Sequence, residues 1–140
     1  MARHALINFA NMPGNEPTLE KQILIIDDDV SIRHMLARVL VGEGYEVVSA
    51  ANGEGGLKIV EKGGVDLVLL DLKMPGMSGQ DALKLLRAEC PELPVIIISA
   101  FSRQQFAGLA GASALLQKPL DFPMLLDTIK RTLAQPVAPG

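Results

Sequence analysis

An alternation constrains the fold of this chain more than any other feature. Short aliphatic runs, most of them ending in a polar residue, take turns with segments whose apolar residues recur at helical spacing. The plainest run is Leu67-Val-Leu-Leu, which ends in Asp71 and is followed by a Pro75-Gly76 turn. Consecutive large aliphatics of this kind suit a strand buried on both faces. Ile23-Leu-Ile-Ile26 likewise runs into Asp27, Asp28 and Asp29, and Val95-Ile-Ile-Ile98 opens after Pro94 and ends in Ser99. Glu46 to Ala50, centred on Val47 and Val48, and Ala114 to Gln117, followed by Lys118-Pro119, complete the set.

The intervening segments read as helices. Ile32, Met35, Leu36, Val39 and Leu40 share helical spacing, and Gly42-Glu-Gly44 stops them. Asn52 can cap a helix to about Lys62, with Leu57 and Val60 inward and Gly63-Gly64 ending it. Ser78 can cap Gly79 to Glu89, which carries Ala82, Leu83, Leu85 and Leu86. Asp121 can cap a last helix with Phe122, Leu125, Leu126, Ile129 and Leu133 on one face. Phe101 to Gly111 has too few residues for a long helix. Strict strand–helix alternation implies an α/β fold, a doubly wound parallel sheet with right-handed crossovers and helices on both faces.

The length of 140 residues fits one domain with a sizeable core. The expected organisation is an N-terminal extension or tag over residues 1–20, the folded domain over 21–134, and a tail or linker over 135–140. With 49% hydrophobic residues and no Trp, the core must be aliphatic. A formal charge of −3 gives no electrostatic case for nucleic-acid binding by this segment. The single cysteine, Cys90, excludes an internal disulfide and a cysteine-based zinc site, and reads as an ordinary thiol at a helix end. No apolar run approaches the roughly 20 residues of a membrane span. The N-terminus lacks the apolar core of a signal peptide. The expected location is cytoplasmic.

In a parallel sheet the strand ends gather along one edge, where open α/β folds place their ligands. Asp71 taken alone could simply cap its strand or begin a turn. Set beside Asp27, Asp28, Asp29, Ser99 and Lys118 at neighbouring strand ends, it joins a cluster. Two like charges about 4 Å apart cost on the order of 4 kcal/mol at an effective dielectric near 20. Such carboxylates must take up protons, bind a cation or be offset by a lysine. Oxygen donors without His or Cys suit Mg²⁺. A cation, a lysine and a hydroxyl beside a carboxylate are what phosphoryl transfer onto that carboxylate needs. His4 and His34 lie away from this edge and read as solvated or packing histidines.

The set Ile-Ile-Asp27-Asp28-Asp29, Leu-Leu-Asp71-Leu-Lys-Met-Pro-Gly76-Met-Ser-Gly79, Ile-Ile-Ser99-Ala100 and Gln-Lys118-Pro119 resembles the receiver domain of two-component response regulators, from about Lys21 to Ala134. The resemblance implies a flavodoxin-like strand order of 2-1-3-4-5. It implies that Asp71 accepts phosphate from a histidine kinase or phosphotransfer protein. By the same resemblance Asp27 and Asp28 match the metal-binding acidic pair, with Asp28 the more direct Mg²⁺ ligand. The Lys73 backbone carbonyl would complete the protein's metal ligands beside Asp71. Ser99 matches the switch hydroxyl, and Lys118 the lysine that pairs with the phosphoryl group, its bond to Pro119 being cis. Asp29 is expected to cap a helix. The implied role is a phosphorylation switch that turns over no external substrate and acts on a downstream effector or by homodimerisation.

Three departures from the family pattern stand out. Leu115 occupies the usual aromatic switch position. The Ser99-to-Lys118 spacing is shorter than is usual, so the helix of the fourth unit is expected to be shortened or distorted. Lys73 and Phe101 occupy the positions that tune phosphate lifetime. An alternative of another class is a Mg²⁺-dependent phosphatase of the haloacid-dehalogenase type, which Asp27-x-Asp29 superficially resembles and in which Asp27 would be the nucleophile.

Overall fold

The computed structural model describes residues 20–100 and 111–135. β1 (Gln22–Ile26), β2 (Glu46–Ala50), β3 (Leu67–Asp71), β4 (Val95–Ser99) and β5 (Ala114–Gln117) form one sheet in the order β2-β1-β3-β4-β5. All four pairings are parallel, with Ile23 opposite both Val47 and Leu67, Asp71 opposite Ile98, and Ser99 opposite Gln117. The helices among the described residues are α1 (Val30–Gly42), α2 (Gly53–Glu61), α3 (Gly79–Glu89) and α4 (Phe122–Ala134). The doubly wound sheet of order 2-1-3-4-5 is therefore present. The expected distortion of the fourth unit's helix, together with Phe101, His4 and both chain ends, falls outside the described residues.

The period-2 alternation of a strand divides the core into two layers. Ile23, Ile25, Leu67, Leu69, Ile96 and Ile98 meet Leu36 and Leu40 of α1 and Leu125 and Ile129 of α4. Leu24, Ile26, Val68, Leu70, Val95 and Ile97 meet Val60 of α2 and Ala82, Leu83 and Leu86 of α3. The central strands β3 and β4 are buried along their whole length, whereas β2 at the edge is mostly half-buried. Each buried aliphatic side chain contributes about 1.5–3 kcal/mol. A one-residue slip of a central strand would exchange its two layers, so the strand ends are held in register.

Local chemistry sets the helix starts. Asp29, Asn52, Ser78 and Asp121 each accept a backbone N–H of the following first turn. Periodicity was less informative about which apolar residues are buried. Leu36 and Leu40, four apart, define the inward face of α1 and leave Met35 42% exposed. Leu85 is 44% exposed, because Ala82, Leu83 and Leu86 set the buried stripe of α3. Gly56 brings α2 close to the sheet, since a Cβ there would strike the Ile26 side chain. No helix among the described residues is long and apolar enough to cross a membrane.

A candidate metal centre at the carboxyl edge

Asp27 follows the last residue of β1 and is only 3% exposed. Its N–H donates to the Ala50 carbonyl, which carries the pairing with β2 one residue beyond the end of β1. Its Oδ1 accepts the Asp29 N–H at 2.9 Å. Asp28 is exposed, and the Asp29 carboxylate is committed to capping α1 through Ser31 N–H at 2.8 Å. Asp71 ends β3 and is 5% exposed. One carboxylate oxygen from each of Asp27, Asp28 and Asp71 lies within 4.8 Å of the others.

The loop after β3 is folded tightly against Asp71. The Lys73 N–H donates to Asp71 Oδ1 at 3.4 Å, and the Gly79 N–H donates to the Leu72 carbonyl at 3.0 Å. A Cβ on Gly79 would fall on the Leu72 Cα and the Asp71 carbonyl oxygen, so only glycine lets α3 start this close. The Lys73 backbone is thereby held beside the carboxylates.

Lys118 supplies the opposing charge. Its Nζ lies 3.4 Å from Asp27 Oδ2 and 3.7 Å from Asp71 Oδ2. Its own N–H donates to the Ser99 carbonyl at 2.8 Å, and the Lys118–Pro119 bond is cis. That hydrogen bond ties the ends of β4 and β5 together and places Ser99, fully buried, on the same rim.

Burial raises the Asp71 pKa above the ordinary carboxylate value, and the charges of Asp27 and Asp28 push in the same direction. Lys118 and the Lys73 N–H pull it back. By count, the cluster sets three carboxylates against the one lysine that pairs with them here. The donor set therefore fits a hard cation that keeps several waters, such as Mg²⁺.

The structure brings together Asp27, Asp28, Asp71 and Lys118, with Ser99 and Lys73 on the same rim. It leaves His34 on the exposed side of α1, beside Ser31, Met35 and Arg38. One neighbour was not anticipated from sequence: Arg33 Nη1 donates to the Asp27 carbonyl at 2.7 Å. No pattern announces that contact, since it depends on α1 folding back over the end of β1. The haloacid-dehalogenase alternative gains no support, because Asp29 serves the helix and does not face the cluster with Asp27.

Comparison with known proteins agrees with this geometry. Residues 23–130 match the response regulator receiver domain. The transcriptional regulatory protein ZraR of Salmonella typhimurium is 42% identical over 80% of this chain, and the match covers 26% of ZraR. The chain thus spans about a quarter of the length of that relative. Sporulation initiation phosphotransferase F of Bacillus subtilis is 39% identical over 82% of this chain and 95% of its own. Among solved structures, the response regulator TrrA of Thermotoga maritima in complex with Mg²⁺ and BeF superposes with a TM-score of 0.75 at 34% identity. That superposition covers 80% of this chain and 98% of TrrA. With this fold, rim and relatives, the chain belongs to the response regulator receiver domains of two-component signalling.

Proposed function

We propose that Asp71 is the phosphoacceptor of this receiver domain, taking a phosphoryl group from the phosphohistidine of a histidine kinase or phosphotransfer protein. The observation that carries this reading is the buried Asp71 carboxylate, which shares one cluster with Asp27, Asp28 and Lys118. An Asp71 Oδ attacks phosphorus, the N–P bond breaks, and its electron pair returns to the imidazole. Asp27, Asp28, Asp71 and the Lys73 carbonyl are the residues that would hold Mg²⁺. When bound, the cation offsets the negative charge of the phosphoryl oxygens. Lys118 shares that task from the opposite side, and the Ser99 hydroxyl donates to a phosphoryl oxygen once the rim rearranges. Burial keeps competing water away from the nucleophile.

On this reading the domain, residues 21–134, is a self-phosphorylating switch in the cytoplasm that turns over no external substrate. Residues 1–20 and 135–140 lie outside its working part. Its outputs are a homodimer or a downstream effector. Nucleic acid is not among the direct partners of this segment, in keeping with its charge of −3.

The test is adduct formation. With Mg²⁺ and acetyl phosphate the protein should gain one phosphoryl group by mass, labile to hydroxylamine, and with beryllofluoride it should form a stable complex. Asp71→Asn should abolish both. An adduct that persists in Asp71→Asn and disappears in Asp27→Asn would instead identify Asp27 as the nucleophile and overturn the reading.

A further inference from the structure

Asp27 has a partner for each of its polar atoms, drawn from the end of β2, the start of α1 and the residue after β5. Its N–H meets the end of β2 at Ala50, Oδ1 meets the Asp29 N–H, and Oδ2 meets Lys118. Its carbonyl oxygen is held by the Arg33 guanidinium across six residues. The Arg33 side chain starts from fixed ground, because its own N–H is bonded to the Asp29 carbonyl in the first turn of α1.

The Asp27 carbonyl belongs to the same planar peptide unit as the Asp28 N–H. Fixing the carbonyl direction therefore fixes the plane from which the Asp28 Cα and side chain depart. Asp28 is exposed, whereas Asp27 and Asp71 are buried and held by their surroundings. From this geometry we infer that Arg33 is a positioning residue for the cation site, acting through the Asp27–Asp28 peptide to aim the Asp28 carboxylate. The inference rests on the reading that Asp27, Asp28 and Asp71 bind Mg²⁺.

The arrangement carries an electrostatic handicap that makes it testable. A guanidinium beside a cation site repels the cation. If Arg33 acted only as a charge, its removal would tighten Mg²⁺ binding, and more so at low salt, where screening is weak. A positioning role predicts the opposite sign. Removing an outer partner that orients a metal ligand typically weakens affinity about 10–100-fold.

Mg²⁺ affinity is read from amide chemical shifts of Asp28 and Lys73 in magnetic resonance titrations, in wild type, Arg33→Met and Arg33→Lys, at low and high salt. Arg33→Met should bind Mg²⁺ about tenfold more weakly at both salts. Arg33→Lys keeps the charge on a shorter, single-pronged side chain and should also bind more weakly. Should Arg33→Met fail to fold, Arg33→Lys carries the test alone. Unchanged affinity in Arg33→Lys, or equal or tighter binding in Arg33→Met, overturns the positioning role. A wild type with no Mg²⁺-dependent shifts would overturn the underlying metal reading, an outcome distinct from either of those.

Discussion

β4 enters the sheet beside a partly buried cation and leaves it beside buried anions, and the two ends handle charge in opposite ways. At the entry, the Arg87 guanidinium donates to the carbonyls of Gly111, Cys90, Pro91 and Leu93. Burial lowers the Arg87 pKa below its ordinary value, with the Cys90 side chain pulling the other way, and these four hydrogen-bond acceptors are neutral carbonyls. At the exit, Asp27, Asp28 and Asp71 face one another, and Lys118 lies within ion-pair reach of Asp27 and Asp71. A charge ringed by dipoles is settled by the fold itself. Like charges gathered at one rim remain costly until a ligand arrives, and that is where function can be placed.

The comparison predicts the largest effect at the entry. Arg87→Met keeps much of the stem that packs on Gly111 but removes the donors. It leaves several carbonyls short of a partner where α3, β4 and the approach to β5 converge. The expected loss is about 2–3 kcal/mol of unfolding free energy, measured by urea denaturation. Beryllofluoride binding by the folded fraction should be unchanged. A loss below about 0.5 kcal/mol would mean that water already serves those carbonyls, and the contrast between the two ends would fail.

At the exit the sign reverses. The folded-state pKa of Asp71 is raised, first by burial and then by Asp27, so the folded protein holds that proton more tightly than the unfolded chain. The associated stability is fully present below the ordinary carboxylate pKa and is lost as pH rises through the raised value. Near neutral pH, ionised Asp71 therefore destabilises the fold. Asp71→Asn should raise the melting temperature near neutral pH without Mg²⁺, corresponding to a gain on the order of 1 kcal/mol in unfolding free energy, and the gain should shrink below the carboxylate range. Added Mg²⁺ should stabilise the wild type and leave Asp71→Asn nearly unmoved. Equal melting temperatures across that pH range would show the cluster to be already neutralised.

Much of this contrast was legible in the sequence, but unevenly. Asp27, Asp71, Ser99 and Lys118 each sit at or just beyond the end of a short aliphatic run, and a parallel sheet gathers such positions on one edge whatever the details of packing. Asp29, Asn52, Ser78 and Asp121 were readable as caps because capping is a matter of neighbours in the chain. The roles of Arg33 and Arg87 were not readable, since a long side chain reaches as far as the tertiary fold allows and its acceptors are backbone carbonyls that carry no sequence signature. Met35 and Leu85 count by spacing in the apolar stripes of their helices yet are exposed, because helical periodicity marks a stripe without fixing its borders.

The smallest effect belongs to a third arrangement of charge, out in solvent. Arg131 and Asp127 lie one turn apart on α4 with an Nε–Oδ2 distance of 2.8 Å, and their side chains are 68% and 64% exposed. That contact is shorter than the 3.7 Å between Lys118 and Asp71, whose side chains are 22% and 6% exposed. If distance ranked these interactions, the α4 pair would matter more. Water screens it, however, and holding two long side chains in one geometry costs entropy. Asp127→Asn should lower the unfolding free energy measured in urea by no more than about 0.5 kcal/mol, and less at high salt. A loss above about 1 kcal/mol would mean that exposure is the wrong variable for ordering the charges of this domain, and that the rim at Asp71 is distinguished by geometry rather than by being dry.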